Sequence, residues 1–390
     1  MNPNHSIQAL IPEQLDKASA FINRSALQHN AIIARAITPY AKMLAVIKAN
    51  AYGHGMLEVA STLDNSVDGF AVARIDEAIA LRDKGFKKMI VVMSAAIDDP
   101  ALLACKHHEL TPVIHSRAGL ELQTFADLDS YWLKIDSGMH RLGLCSDELN
   151  ALDSNFDFKH CTSLMSHFSS GEAKGISTND QQLKQFSQMI ASHPQLNSVA
   201  AISMANSASF LRHNNAKQYQ SWRDKYLAAR THTEETIRPG IMLYGADPLE
   251  QANSSSESLL AAMTLAAPVL AVRKIKAGEY VGYNRRWQAP RDSMIATLGI
   301  GYADGYPRHA TNGTAVIIKG QRASLVGTVS MDTIGVDITD LCKQGIDVTA
   351  GDTAQLWGET LSANEVAKNS GTIAYQLFTG VSERVKRIYL

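Results

Sequence analysis

Between Met43 and Leu243, eight short apolar runs alternate with longer segments of helical period, and that alternation leaves the chain few folds to adopt. The runs are MLAVIK ending at Lys48, GFAVA ending at Ala73, KMIVVMS ending at Ser94, TPVI ending at Ile114, YWLKID ending at Asp136, SLMSH ending at His167, VAAISM ending at Met204, and IRPGIML beginning at Ile237. Repeated strand-helix units build a parallel sheet, and eight is the count that closes a TIM-type (β/α)8 barrel. The helical segments carry their own marks. IDEAIALRDKG, from Ile75 to Gly85, sets acids early and bases late, then stops on glycine.

The pattern changes near residue 250, where QANSSSES (Gln251 to Ser258) is polar and has no apolar period. Beyond it lie closely spaced β-rich runs: LAAPVLAVRKI, MIATLGIGY, TAVIIKG, ASLVGTVSMDTIGVDIT and TAQLWG. They predict an α/β chain with two parts, a barrel with an N-terminal extension over 1–250 and a mainly antiparallel β-domain, a small barrel or sandwich, over 251–390. A last segment, LSANEVAKNSGTIAYQLFTG, reads as helical near its start.

Composition removes several classes of function. The 390 residues allow two or three domains with a full core. With 37 Lys+Arg against 38 Asp+Glu there is no basic footprint for nucleic acid. The longest nearly apolar stretch, Met89 to Ile97, falls far short of the roughly 18 residues that span a membrane. MNPNHSIQALIPEQLD lacks the features of a secretory signal, so a cytoplasmic location is expected. Cys105, Cys145, Cys161 and Cys342 fit neither a disulfide framework nor zinc spacing, and they read as ordinary buried thiols with no metal site.

A parallel barrel places its active site at the carboxyl ends of its strands. Lys48, Lys134 and Asp136, His167, Asn206 and Ser207, and Arg238 in the last strand all fall on that rim. A lysine closing an apolar strand finds an acidic partner or takes a lowered pKa that frees its amine as a nucleophile. By residue type alone, a salt-bridged or rim-exposed lysine is the commoner outcome. The turn AYGHG that follows brings the Gly53 and Gly55 amides to a helix start near Met56, where a phosphate is favoured, although such glycines also serve as plain turn residues. A phosphate-bearing cofactor beside a lysine points to pyridoxal phosphate.

AVIKANAYGHG, from Ala45 to Gly55, resembles the pyridoxal-phosphate signature of the alanine racemases. WLKIDSGMHRLG, LMSHF, ANSAS, IRPGIMLYGADP, GYADGYPR and GTVSMD are similar to further motifs of that family, in order, and the resemblance runs to the closing RVKRIY. It implies interconversion of L- and D-alanine, for peptidoglycan or alanine catabolism, on a small amino-acid substrate. It also implies a homodimer with shared active sites, and neither a nucleic-acid nor a membrane partner.

The resemblance further implies that Lys48 holds pyridoxal phosphate covalently and is one acid-base group, while Tyr302 from the other subunit is the second. Two groups are needed because one face must lose a proton while the other gains one. Tyrosine ordinarily titrates near 10, so a tyrosine base needs positive charge nearby, and the resemblance points to His167 and Arg238. Arg238 matches an arginine aimed at the pyridine nitrogen, where a guanidinium can only donate and leaves the ring a weaker electron sink. His167 matches a neighbour of the ring. Tyr52, Ser207, Tyr375 and the backbone at Gly240 and Ile241 match phosphate donors, Arg141 and Met331 match substrate contacts, and Lys134 matches a lysine often carbamylated. Taken singly, Tyr302 reads as a packing residue, Gly240 as a turn and Ser207 as a helix cap.

The sequence departs from the family pattern at Ser330, where cysteine is common, at Gln376, where an acid is common, and at His140. These positions leave substrate breadth open, so a broad-specificity or serine-preferring racemase is the alternative. A pyridoxal-phosphate decarboxylase would place an acid where Arg238 stands. A non-enzymatic pyridoxal-phosphate-binding protein would lack the β-domain.

Overall fold

Short runs of Val, Ile, Leu and Phe flanked by amphipathic helices can bury both faces of a sheet only by closing it. In the computed structural model, which describes residues 8–94, 98–152, 156–173, 178–213, 215–227 and 234–390, they do so. Strands Lys42–Val46, Gly69–Val72, Met89–Val92, Thr111–Ile114, Tyr131–Lys134, Cys161–Met165, Ala201–Ser203 and Glu234–Ile237 form a closed parallel barrel. Lys42 opposite Thr236 and Met43 opposite Ile237 complete the ring. Met43, Phe70, Val72, Ile90, Val113 and Leu133 are fully buried, each removal from water stabilising the fold by about 1.5–3 kcal/mol. The end of the apolar stretch from Met89, residues 95–97, and residues 1–7 of the N-terminus lie outside the described residues.

Two expectations need correction. The eighth strand ends at Ile237 instead of beginning there, because Pro239 has no amide to donate and Ile241–Tyr244 turns into a 3-10 helix. Arg238 therefore lies just past the strand, bridged to Asn206. The cysteines are free thiols, but Cys145 is exposed, since it stands at the start of the short helix Ser146–Asn150 where its N–H donates to Glu148. Cys105 and Cys161 are buried, and Cys342 is only half-buried.

The second sheet has eight strands. Six of them, Ser293–Leu298, Ile334–Asp337, Gln321–Val326, Ala315–Ile318, Thr353–Trp357 and Met263–Ile275, form a ring closed by pairing of the last with the first. Every pairing within that ring is antiparallel. Met263–Ile275 also pairs with Ser19–Ile22, which in turn runs parallel to Lys386–Tyr389. The start of the chain thus joins the sheet built mostly by its end. The run from Ala323 to Thr339 is two strands, and the connection between them carries Met331. Helices Ala363–Asn369 and Ala374–Gly380 follow. Among the described residues no helix is long and apolar enough to cross a membrane, and no group of three or more His, Cys, Asp or Glu is placed to hold a metal.

Candidate active site

Lys48 follows the first barrel strand almost directly, and the residues after it adopt a conformation that, Asn50 apart, their types disfavour. Ala49, Asn50, Ala51 and Tyr52 have φ of 52°, 53°, 53° and 51°. A left-handed turn costs L-residues roughly 1–2 kcal/mol each, so its surroundings must impose it. Ala51 N–H donates to Ile47 O at 2.8 Å and Gly53 N–H to Ala49 O at 3.0 Å. Glu77, on helix Ile75–Asp83, accepts the Ala49 N–H at 2.6 Å and, with its other oxygen, the Ala73 N–H at 3.0 Å. Gly53, at φ +79°, approaches the Phe378 carbonyl so closely that a Cβ would overlap it.

This turn overturns the expected anion cradle at AYGHG. The N–H groups of Gly53, His54 and Gly55 are used by Ala49 O, Ala51 O and Asn50 O, and Met56 N–H donates to Asn50 Oδ1 at 2.8 Å. Hydroxyl and amide donors collect across the rim instead. Ser207, the first residue of helix Ser207–Leu211, accepts the Gly240 N–H at 2.9 Å, and Ile241 opens the 3-10 turn that follows.

His54 sits completely buried beneath the turn, its Nδ1 donating to Tyr52 O at 3.0 Å and its ring against Tyr244 and Phe378. Burial pushes its pKa from 6.5 down to about 4. Between those values the unfolded chain binds a proton that the folded chain refuses. This share of stability is therefore complete above pH 6.5 and lost as the pH falls toward 4, by on the order of 3 kcal/mol in all. His54→Gln is expected to flatten the acid side of a plot of urea midpoint against pH, and an unchanged plot would remove His54 from the acid sensitivity.

A cleft of about 700 Å3 opens at the carboxyl ends of the barrel strands. It brings together ten of the twelve residues to which the resemblance gives a role, Lys48, Tyr52, Lys134, Arg141, His167, Ser207, Arg238, Gly240, Ile241 and Tyr375, and with them Asn206 of the rim. Its described lining holds four cationic side chains and no carboxylate. Burial, then Arg141, lowers the Lys48 pKa against the opposing pull of Glu77. Burial with Arg238 and Arg141 nearby brings Lys134 down to about 8.

Arg238 is fully buried, and burial pushes it down to about 10. It donates to Ser203 Oγ, to Ser166 O at 2.7 Å and toward His167 Nδ1 at 3.4 Å, so none of its described hydrogen bonds goes to a carboxylate. Burial and Arg238 hold His167 well below its ordinary value, which leaves a neutral ring able to accept from the guanidinium. Asp136 is occupied in holding the loop that carries Arg141: its Oδ1 accepts the N–H groups of Gly138, Met139 and His140 at 2.9–3.1 Å. His140 pays this geometry with φ of 55°, and its Nδ1 lies 3.2 Å from the same carboxylate. Gln376 lines the cleft and accepts from the Thr372 hydroxyl.

Tyr302 and Met331 are not in the cleft. Both are exposed, at 41% and 53%, on the β-domain surface. They are neighbours nonetheless, since Tyr302 N–H donates to Ser330 O and Ala303 N–H to Met331 O, each at 3.0 Å. Glu77 and Asn50 were not legible as site residues. The acid at the helix start reads as a dipole partner, and only the fold shows that it caps the Lys48 turn.

The family model described as "Alanine racemase, N-terminal domain" matches residues 22–248, and "Alanine racemase, C-terminal domain" matches 262–389. The chain belongs to the alanine racemase family. An alanine racemase of Aeromonas hydrophila subsp. hydrophila is 40% identical over 383 residues, 96% of this chain and 99% of that protein. The biosynthetic alanine racemase from Pseudomonas aeruginosa superimposes with a TM-score of 0.82 at 35% identity, covering 96% of this chain and 100% of that one. The alanine racemase from Bartonella henselae, solved with covalently bound pyridoxal phosphate, gives 0.83 at 31% identity over 96% and 100%. Membership of the alanine racemase family over both parts of the chain removes the reading as a lone-barrel cofactor-binding protein.

Proposed function

We propose that this chain interconverts L- and D-alanine with pyridoxal phosphate as cofactor, taking the α-proton from one face and returning one to the other. The observation that carries this reading is the cleft itself, three cationic side chains, with no carboxylate in the described lining, around a lysine held at a strained turn. Such a site suits a ligand with several negative charges. Tyr52, Ser207, Tyr375 and the Ile241 amide would hold the phosphate, with the Gly240 N–H, which donates to Ser207 Oγ at 2.9 Å, turning that hydroxyl's proton toward it or sharing its own. Gly240 leaves room for it to approach, since a Cβ there would lie 2.7 Å from Tyr52 Oη.

When bound, the cofactor supplies an electron-withdrawing ring that acidifies the substrate α-proton. Lys48 would hold it and, with a pKa lowered by burial, exchange a proton at Nζ on one face. Arg238 would donate to the ring nitrogen without giving up its proton, while neutral His167 orients the guanidinium from behind. Tyr302 would exchange a proton at Oη on the opposite face, and the exposure of Tyr302 and Met331 away from the cleft supports their delivery by a second copy of the chain. Arg141 and the Met331 amide would hold the substrate carboxylate. Lys134, at about 8, keeps enough neutral amine to take up carbon dioxide, which would turn a cation beside Arg141 into an anion.

In this reading residues 1–250 bind the cofactor with the help of Tyr375, and 251–390 also lend Tyr302 and Met331 to the partner in a homodimer. The enzyme works in the cytoplasm on a small amino acid, for D-alanine supply or alanine catabolism. The test is incubation of the cofactor-loaded protein with L-alanine in heavy water. D-alanine carrying deuterium at the α-carbon is expected. Alanine that stays L and unlabelled would overturn the assignment of substrate.

A further inference from the structure

The last turn of the chain reaches both elements to which proton transfer has been assigned. Arg387, on strand Lys386–Tyr389, spreads its guanidinium over four carbonyls: Nε donates to Gly53 O at 3.0 Å, Nη1 to Ser382 O at 2.7 Å and Val385 O at 3.0 Å, and Nη2 to Val381 O at 2.7 Å. Gly53 closes the left-handed turn that begins one residue after Lys48. Three residues earlier, Arg384 bridges two carboxylates, with Nε 3.3 Å from Asp304 and Nη2 2.7 Å from Asp332. Asp304 ends the turn that Tyr302 starts, and its other oxygen accepts the Gly301 N–H at 2.9 Å. Asp332 follows Met331, and Ser382 N–H ties the same segment to Asp304 O at 3.0 Å.

We propose that Arg384 and Arg387 are positioning residues for the two acid-base groups, Arg387 for Lys48 through the left-handed turn and Arg384 for Tyr302 together with Met331. The inference rests on the two-group reading above. A turn of four L-residues at positive φ is held only by what surrounds it, and a planar fork filling four acceptors fixes Gly53 O against residues 381–385 in a way a lysine cannot. Arg384 and Asp332 are both exposed, where an ion pair adds little to stability, while Asp304 is buried and keeps the Gly301 N–H as a second partner. Its effect falls instead on the spacing between the Tyr302 turn and the Met331 loop, and small displacements of reacting groups are costly to rate.

The two groups serve opposite directions of one reaction, so their positioning residues leave opposite signatures. In one direction Tyr302 removes the substrate α-hydrogen. In the other it delivers a hydrogen from solvent. Arg384→Gln is expected to lower kcat/KM about tenfold while the protein stays folded at the assay temperature, with at most a small drop in melting temperature from the loss of one partner of Asp304. The α-deuterium isotope effect should rise in the direction where Tyr302 removes the hydrogen and fall in the other. Asp332→Asn should reproduce that split, Arg384→Lys should partly reverse it, and Arg387→Gln should give the mirror image. If Arg387→Gln does not fold, Arg387→Lys supplies the same comparison. Isotope effects that stay unchanged or move together in both directions would overturn the inference. Tyr302→Phe separates the two failures: full activity in that variant would sink the two-group reading itself, whereas an inactive Tyr302→Phe beside a normal Arg384→Gln would sink only the positioning role.

Discussion

Lys48→Ala is expected to lower turnover of L-alanine by about 10^4-fold or more, because one side chain supplies both the cofactor anchor and a proton-transfer group. Nothing else in the cleft can replace it. Lys134 is buried and lowered to about 8, but it is a different strand's residue and lies among Arg238 and Arg141. What the variant removes is a primary amine, whose pKa burial and Arg141 lower. A small primary amine such as ethylamine, at high concentration, should therefore restore a measurable part of the lost rate. Arg141, Arg238 and the phosphate donors would remain in place to bind the cofactor noncovalently. Chiral chromatography of the product measures both effects, and a variant within tenfold of the parent would remove Lys48 from the mechanism.

The barrel could be read from the sequence because each strand is a local apolar run and each helix carries local end signals. Lys48, Lys134 and Ser207 fell on the rim for the same reason, as ends of such runs. The eighth strand was misplaced because Glu234 and Glu235 are polar while the apolar residues lie in the following turn, so hydrophobicity marked the wrong side of Pro239. The left-handed turn had no local signal at all. Alanine disfavours it, and the groups that impose it, Glu77, Phe378 and Arg387, lie 28 to more than 300 positions away in the chain. The strand Ser19–Ile22 was equally hidden, since both its neighbours come from the far end of the sequence. Arg384 and Arg387 belong to this class. Their meaning is set by which backbone groups the fold delivers to them, and not by their own spacing.

Tyr302→Phe should by itself lose roughly 10^3-fold or more in turnover, and mixing it with Lys48→Ala tests where the tyrosine acts. Tyr302 lies outside the cleft that holds Lys48, and together with Met331 it forms an exposed pair on the β-domain. If each site combines Lys48 of one chain with Tyr302 of the other, a hybrid dimer concentrates both defects in one site. Its second site then contains an intact Lys48 and an intact Tyr302. Unfolding and refolding equal amounts of the two inactive variants together makes half the dimers hybrid, each with one working site of two, so about a quarter of the parent activity should return. A site built within one chain would give no such recovery, because every chain in the mixture carries a defect. The comparison needs only the activity of the mixture against each variant refolded alone, and recovery that is absent despite hybrid dimers detected by mass would place both groups in the same subunit.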